Sequence, residues 1–260
     1  SNFIPSLFII AYLCLGFVPN WQAVDKIAPQ WLLMNIMNAA SIIFILYYRN
    51  QFSNRITQTL SSALSYTYIG FIIWGGLSYF YAINSTEVLV NITRQLNVMM
   101  MFLVMGVFIY NLKGKRMFVS YVITAILIVE VYLVLNEALQ MINTSGFISA
   151  GELKGVTANR NITAFSIAIK IPFILFLIYK NSRPILKIGL SSLIMLSILC
   201  LSMIQSRASF LALGFIFISF LGLCITLYLN DKNKKNLYQF SFFLIPLFLA
   251  IGITQTFLAD

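Results

Sequence analysis

The sequence predicts an all-α fold, a polytopic membrane helix bundle of about nine transmembrane helices. Three observations carry that prediction. Apolar runs near 20 residues recur along all 260 residues, and about 20 apolar residues are what an α-helix needs to cross a bilayer core. The chain is 60% hydrophobic and 9% charged, whereas soluble domains run at about 45–50% apolar and about 25% charged. None of the short alternating segments of a membrane β-barrel is present.

Taken in order, the apolar runs place spans near residues 3–19, 31–48, 64–83, 95–112, 117–137, 161–179, 185–205, 208–229 and 237–257. We treat 1–260 as a single transmembrane domain. Trp21, Trp31, Tyr47, Tyr48, Tyr66, Tyr68, Tyr79 and Tyr81 fall near span ends, where amphipathic rings settle at the membrane–water interface. The chain starts at Ser1 without methionine and stops at Asp260 just after an apolar run, so we expect a piece of a longer protein, incomplete at its carboxyl end. The first run suits a span better than a cleaved leader.

The net charge of +10 does not point to nucleic acid, because no basic face with interleaved aromatics exists. It reports orientation instead. Alternate connections carry Arg49 and Arg55, then Lys113, Lys115 and Arg116, then Lys180, Arg183 and Lys187, then Lys232, Lys234 and Lys235. The opposite connections carry only Lys26, Arg94, Lys154, Arg160 and Arg207. Basic loops stay in the cytoplasm. The amino end is therefore expected inside and the long polar loop, 138–160, outside. Lys26 and Arg94 suit interfacial snorkelling; Arg160 and Arg207 have no topological reason to be where they are.

The polar stretch 143–161, NTSGFISAGELKGVTANRN, packs Glu152, Lys154 and Arg160 into nine residues. Asn159 or a neighbouring threonine is placed to cap the following helix, so that its opening N–H groups and Arg160 together face an anion. Gly151 and Gly155 let the loop fold back. Arg207 sits in IQSRASF, a turn too tight to lift it far into water. Its planar fork suits a phosphate or carboxylate better than lysine would, although snorkelling to headgroups also accounts for it. Glu130 and Lys170 lie at similar depths, about 10–14 Å from the outer boundary at 1.5 Å per residue, and an ion pair between them is expected. Asn35 and Asn38, three apart, are expected to hydrogen-bond to another helix. Pro172 and Pro246 are placed to kink their helices.

Other chemistry is thin. Cys14, Cys200 and Cys224 lie in apolar runs without metal-ligand spacing, and there is no histidine. No phosphate loop, HExxH, CxxC or GxSxG occurs, so no metal or nucleotide cofactor is expected.

Two pieces then combine. GVTANRNITAF carries Gly155, Asn159 and Asn161 at the opening of one helix, and SMIQSRASFLAL carries Ser206, Arg207, Ala208 and Leu211 at the opening of the next outward-facing one. Together they resemble the G-x-x-x-N-x-N and S-R-[GA]-x-x-L elements of the O-antigen ligase and Wzy-type O-antigen polymerase family. The resemblance covers about 150–230 and extends elsewhere only to topology and hydropathy. It implies a type C glycosyltransferase-like fold in the bacterial inner membrane, acting in lipopolysaccharide biosynthesis. The reaction implied is transfer of a glycan from undecaprenyl diphosphate, on the periplasmic face, to lipid A–core or to a second lipid-linked glycan. Arg160 and Arg207 then take the diphosphate as catalytic residues, with Lys154, Asn159, Asn161 and Ser206 contacting substrate. The family's large outer loop, with its histidine, would follow the ninth span, so the general base is expected beyond Asp260. A transporter or flippase for an anionic or lipid-linked solute is the competing expectation, with Glu130, Lys170 and the two arginines lining a path.

Overall fold

The structure is a computed structural model that describes residues 3–19, 21–22, 25, 27–112, 116–146, 148–149, 152–157 and 159–258. Lys26, Lys113, Lys115 and Gly151 lie outside the described residues, as do the side chains of Arg116 and Lys235. The described residues form ten α-helices: α1 Phe3–Leu13, α2 Ala28–Tyr47, α3 Arg49–Leu60, α4 Ala63–Leu77, α5 Ser85–Asn111, α6 Arg116–Ser145, α7 Arg160–Lys180, α8 Pro184–Ile204, α9 Arg207–Asp231 and α10 Lys235–Leu258. Seven stretches, within α2 and α5–α10, are long and apolar enough to cross a membrane. The chain is a multi-pass helical membrane protein.

The nine expected spans all fall on helix, but not all as independent crossings. Helix α1 has 11 residues, about 16 Å of rise against a core of roughly 30 Å. Helices α3 and α4, with the turn Ser78–Phe80, pass the length test only as a pair bent by 66°. Residues 49–60 were expected as a connection; they form a helix that buries Phe52 and Thr59 and exposes its polar residues. Helix α5 begins at Ser85, where Asn84 accepts from the Glu87 N–H at 3.2 Å, just over two turns before the polar Thr93-Arg94 segment that masked it in the sequence. Helix α6 runs on to Ser145, past its expected end at 137, because Leu139, Met141 and Ile142 continue the apolar pattern beyond Glu137. It stops at Gly146, whose φ of +79° and N–H to the Ile142 carbonyl at 3.0 Å make a left-handed helix end that glycine adopts without strain.

The chain divides into two compact units, Ser1–Arg116 and Met117–Asp260. The first packs around Phe8, Phe44, Phe52 and Phe108, with ring centroids 5.4–6.2 Å apart. Asn38 ties its helices together: it accepts from the Tyr12 hydroxyl at 2.8 Å and donates to the Asn97 carbonyl at 3.0 Å. Asn38 therefore reaches two other helices, α1 and α5. Gly106 lets α3 lie close on α5, since a Cβ there would meet Thr59 Cγ2 at 2.7 Å.

In the second unit, Ile167, Ile171, Ile174 and Ile178 on α7 are fully buried, at the i, i+4, i+7, i+11 spacing of one helix face. Ile194, Ile198 and Leu201 do the same on α8. Pro246 lies inside α10, where it cannot bond the carbonyl of Phe242 four residues back. Ser191 of α8 donates to that carbonyl at 2.9 Å, so the defect becomes an interhelical contact. The connection 181–183 and the turn 205–206 separate α8 from its neighbours by three and two residues. Helix α8 packs back along α7, so α9, which starts two residues after α8 and packs on α7 itself, runs in the same direction as α7.

Candidate functional site

The loop preceding α7 is held by a residue that sequence reasoning passed over. Glu137 Oε2 accepts from the N–H groups of Lys154 and Gly155 at 3.1 and 2.9 Å. Both donors come from one turn of backbone, which clamps the loop onto α6. Leu153 is fully buried beside this clamp, and Thr163 Oγ1 donates to the Lys154 carbonyl at 2.5 Å. Gly155 has φ +54°, and a Cβ on it would stand 2.8 Å from Thr163 Cγ2 and 3.2 Å from Val134. Glycine is therefore required twice over, for conformation and for space. Lys154 itself points outward and is exposed.

Asn159 caps α7. Its Oδ1 accepts from the N–H groups of Asn161 and Ile162 at 3.0 and 3.4 Å, and its carbonyl accepts from Thr163 at 2.9 Å. This alters the expectation that the opening N–H groups face outward for a ligand: the cap already occupies two of them, and the Thr163 bond is the first of the helix itself. What remains at this terminus is the helix dipole and the exposed Arg160, which has no hydrogen-bond or ion-pair partner among the described residues. Asn161 is exposed beside it.

The start of α9 is more open. Ser206 is its N-cap residue but its side chain makes no capping bond. It is buried, at 4% exposure, so a substrate would meet its neighbours before its hydroxyl. Arg207 is exposed and unpaired among the described residues. One turn in, Ser209 Oγ is buried without a hydrogen-bond partner among the described residues, a condition that costs roughly 1–3 kcal/mol. The preceding Gln205 takes a left-handed φ of +55°, uncommon for a residue with a side chain; it makes the two-residue reversal possible. Because α7 and α9 run the same way, Arg160 and Arg207 begin helices at the same end of this unit.

Glu130 and Lys170 form an ion pair within the apolar interior, with side chains 9% and 14% exposed. Lys170 Nζ lies 2.9 Å from each carboxylate oxygen and 3.0 Å from the Ser166 carbonyl. Ser166 Oγ accepts from Lys170 at 2.5 Å and donates to Glu130 Oε1 at 2.9 Å. The sequence suggested the pair but not Ser166, which sits one turn before Lys170 on the same helix face. Each charge is matched and hydrogen-bonded, the condition under which a buried pair holds together.

In the first unit, a cleft of about 410 Å³ is lined by Asp25, Trp31, Asn35, Arg94 and Asn97 among others. Arg94 lies 3.8 Å from Asp25 and 5.9 Å from the centre of the Trp31 ring. Arg94 therefore has protein partners, unlike Arg160 and Arg207. Among the described residues no group of three or more His, Cys, Asp or Glu is placed to hold a metal ion. Comparison of the chain with protein-family models, with curated proteins and with solved structures returns no match.

Proposed function

We propose that this protein transfers a glycan from a polyprenyl diphosphate carrier to a membrane-anchored acceptor, in the manner of O-antigen ligases or polymerases. The observation that carries the reading is the pair of unneutralised arginines, Arg160 and Arg207, opening two helices that run in the same direction. As the glycosidic bond breaks, charge builds on the diphosphate oxygens. Fixed cations in a water-poor site stabilise that charge without reorganising at the moment of reaction. Arginine offers a planar fork of donors matched to phosphate oxygens, and the amino end of α9 adds a favourable dipole.

Arg207 is the stronger of the two. The cap on α7 consumes backbone donors beside Arg160, whereas the Ser206 side chain leaves those of α9 uncapped. Lys154 and Asn161 extend the polar surface from the clamped loop, and Asn159 acts by holding the helix start. The orientation that suits this chemistry puts the arginine end on the periplasmic face of a bacterial inner membrane, with the acceptor either lipid A–core or another lipid-linked glycan. A transport path through Glu130 and Lys170 finds less support, because those charges neutralise each other within a bonded cluster.

The test is genetic. Deletion of the full-length gene in its host should abolish or shorten the surface-glycan ladder, and complementation with Arg207→Ala should fail where wild type succeeds. A normal ladder in the deletion strain would contradict the transfer reading.

A further inference from the structure

A groove of about 800 Å³ runs between α6 and α8, lined by Thr124, Ile128, Arg183, Gly189, Leu193 and Leu196 among others. It lies at the opposite end of the unit from Arg160 and Arg207. From Pro184 to Leu196 it follows α8 for about 18 Å at 1.5 Å per residue. That slightly exceeds one leaflet's share, roughly 15 Å, of the hydrocarbon core. Its walls are largely apolar, and the hydroxyl of Thr124 already donates to the Ser120 carbonyl at 2.8 Å. Beyond Arg183, Thr124 and Ser192 are the polar side chains of its lining, few for recognising a polar solute.

The mouth is different. The connection there reads KNSRPILK, with three basic residues and no acidic one. Lys180 lies 5.5 Å from the Tyr179 ring centre, and Lys187 donates to Gln239 Oε1 at 3.0 Å. The guanidinium of Arg183 has no partner among the described residues, the residue is exposed, and it is itself part of the lining. An apolar slot closed at its polar end by a free guanidinium complements one kind of molecule, an amphiphile with a long chain and an anionic head. Basic pockets between membrane helices on the cytoplasmic side take acidic lipid headgroups in this way.

The lining carries one basic side chain, Arg183, and no acidic one, a charge that complements an anionic headgroup and not an apolar helix of a partner or of a second copy. Gly189, on the groove wall, has no atom within 4 Å of where its Cβ would stand, so the slot stays open midway along its length.

We propose that this groove holds an acyl chain of an anionic phospholipid from the leaflet where Arg183 emerges, with Arg183 on its phosphate. The charge bias makes that leaflet the cytoplasmic one. The site does not depend on the transfer reaction, whose arginines are at the other end.

Native mass spectrometry of the full-length protein in detergent, titrated with phosphatidylglycerol or phosphatidylcholine of identical chains, tests it. Wild type should retain phosphatidylglycerol in preference. Arg183→Ala should reduce that preference about five-fold, the size expected of one basic residue at a lipid surface. Gly189→Leu, which fills the slot, should lower retention of both lipids, and Gly70→Leu, a glycine with open space in the other unit, should change neither. Equal retention of the two lipids by wild type would overturn the proposal, and so would a Gly189→Leu variant that keeps both. A wild-type dimer that Gly189→Leu dissociates would also overturn it, by giving the slot to a second copy.

Discussion

A lysine ten residues inside a membrane helix costs at least about 2.5–3.5 kcal/mol on insertion scales unless it is paired. Lys170 meets that cost through both oxygens of Glu130 and through Ser166. Glu130→Gln leaves the ammonium without its counter-charge and should destabilise the fold by about 3–5 kcal/mol, the range for breaking one side of a buried pair. Folded yield in detergent and thermal melting measure this. The double variant Glu130→Gln with Lys170→Met should recover most of the loss. If the single variant melts like wild type, the pair is not holding the helices. Gly155 poses a steric question at the same scale. Gly155→Ala must accept a left-handed φ, costing about 1–2 kcal/mol, and must also displace Thr163 from 2.8 Å. The expected loss is therefore at least that large, read again from the melting temperature, and partly relieved by Thr163→Ser.

At the scale of elements, the structure turns on how helices begin and end. Asn159→Ala removes the acceptor for two N–H groups at the start of α7 and should cost about 1 kcal/mol. Hydrogen exchange localised to residues 160–163 would show it, while exchange in the middle of α7 should not change. Glu137→Gln keeps the shape but weakens the charge-assisted bonds to Lys154 and Gly155. Faster exchange at those two amides, with α6 unaltered, is the expected result. The cap at Asn159 and the Glu130–Lys170 juxtaposition were legible in the sequence because helical rise alone sets depth and the capping residue has a local signature. The Glu137 clamp was not, since its partners are backbone amides 17 and 18 residues away, and nothing in composition marks which carboxylate folds back. The early start of α5 was hidden by the polar Thr93-Arg94 segment, and the extension of α6 by Asn136, Glu137 and Gln140, which interrupt its apolar pattern without ending the helix. Helix α3 was hidden for the same reason: its stability rests on Phe52 and Thr59 packing, not on hydropathy. Gln205 in a left-handed conformation leaves no trace in residue type, so only the shortness of the turn hinted at it.

At the scale of the whole molecule, the useful contrast is between charges that are answered and charges that are not. In the first unit Arg94 has Asp25 and Trp31, and the Asn38 amide accepts from Tyr12 and donates to Asn97. In the second, Glu130 and Lys170 cancel, Glu137 is engaged by backbone, and Lys187 is bonded to Gln239. Arg160, Arg183 and Arg207 are, with Glu152, Lys154, Lys232 and Lys234, the charged side chains of this unit without a partner among the described residues, and Arg183 lies at the far ends of α7 and α8 from the other two arginines. That distribution fits a protein that binds an anionic head at one face and a lipid at the other better than one that conducts ions through its middle. It also makes Arg160 and Arg207 expendable for folding: alanine at either should leave the stability within about 0.5 kcal/mol of wild type, as for surface positions without partners. The most direct measurement is equilibrium binding of a prenyl diphosphate to the full-length protein and to its arginine variants. A charge-assisted contact contributes about 1.5–3 kcal/mol, so Arg207→Ala should weaken binding at least about ten-fold and Arg160→Ala by less, with melting unchanged in both. Binding that is indistinguishable from wild type in Arg207→Ala and in the double variant would contradict a diphosphate site at this end of the molecule.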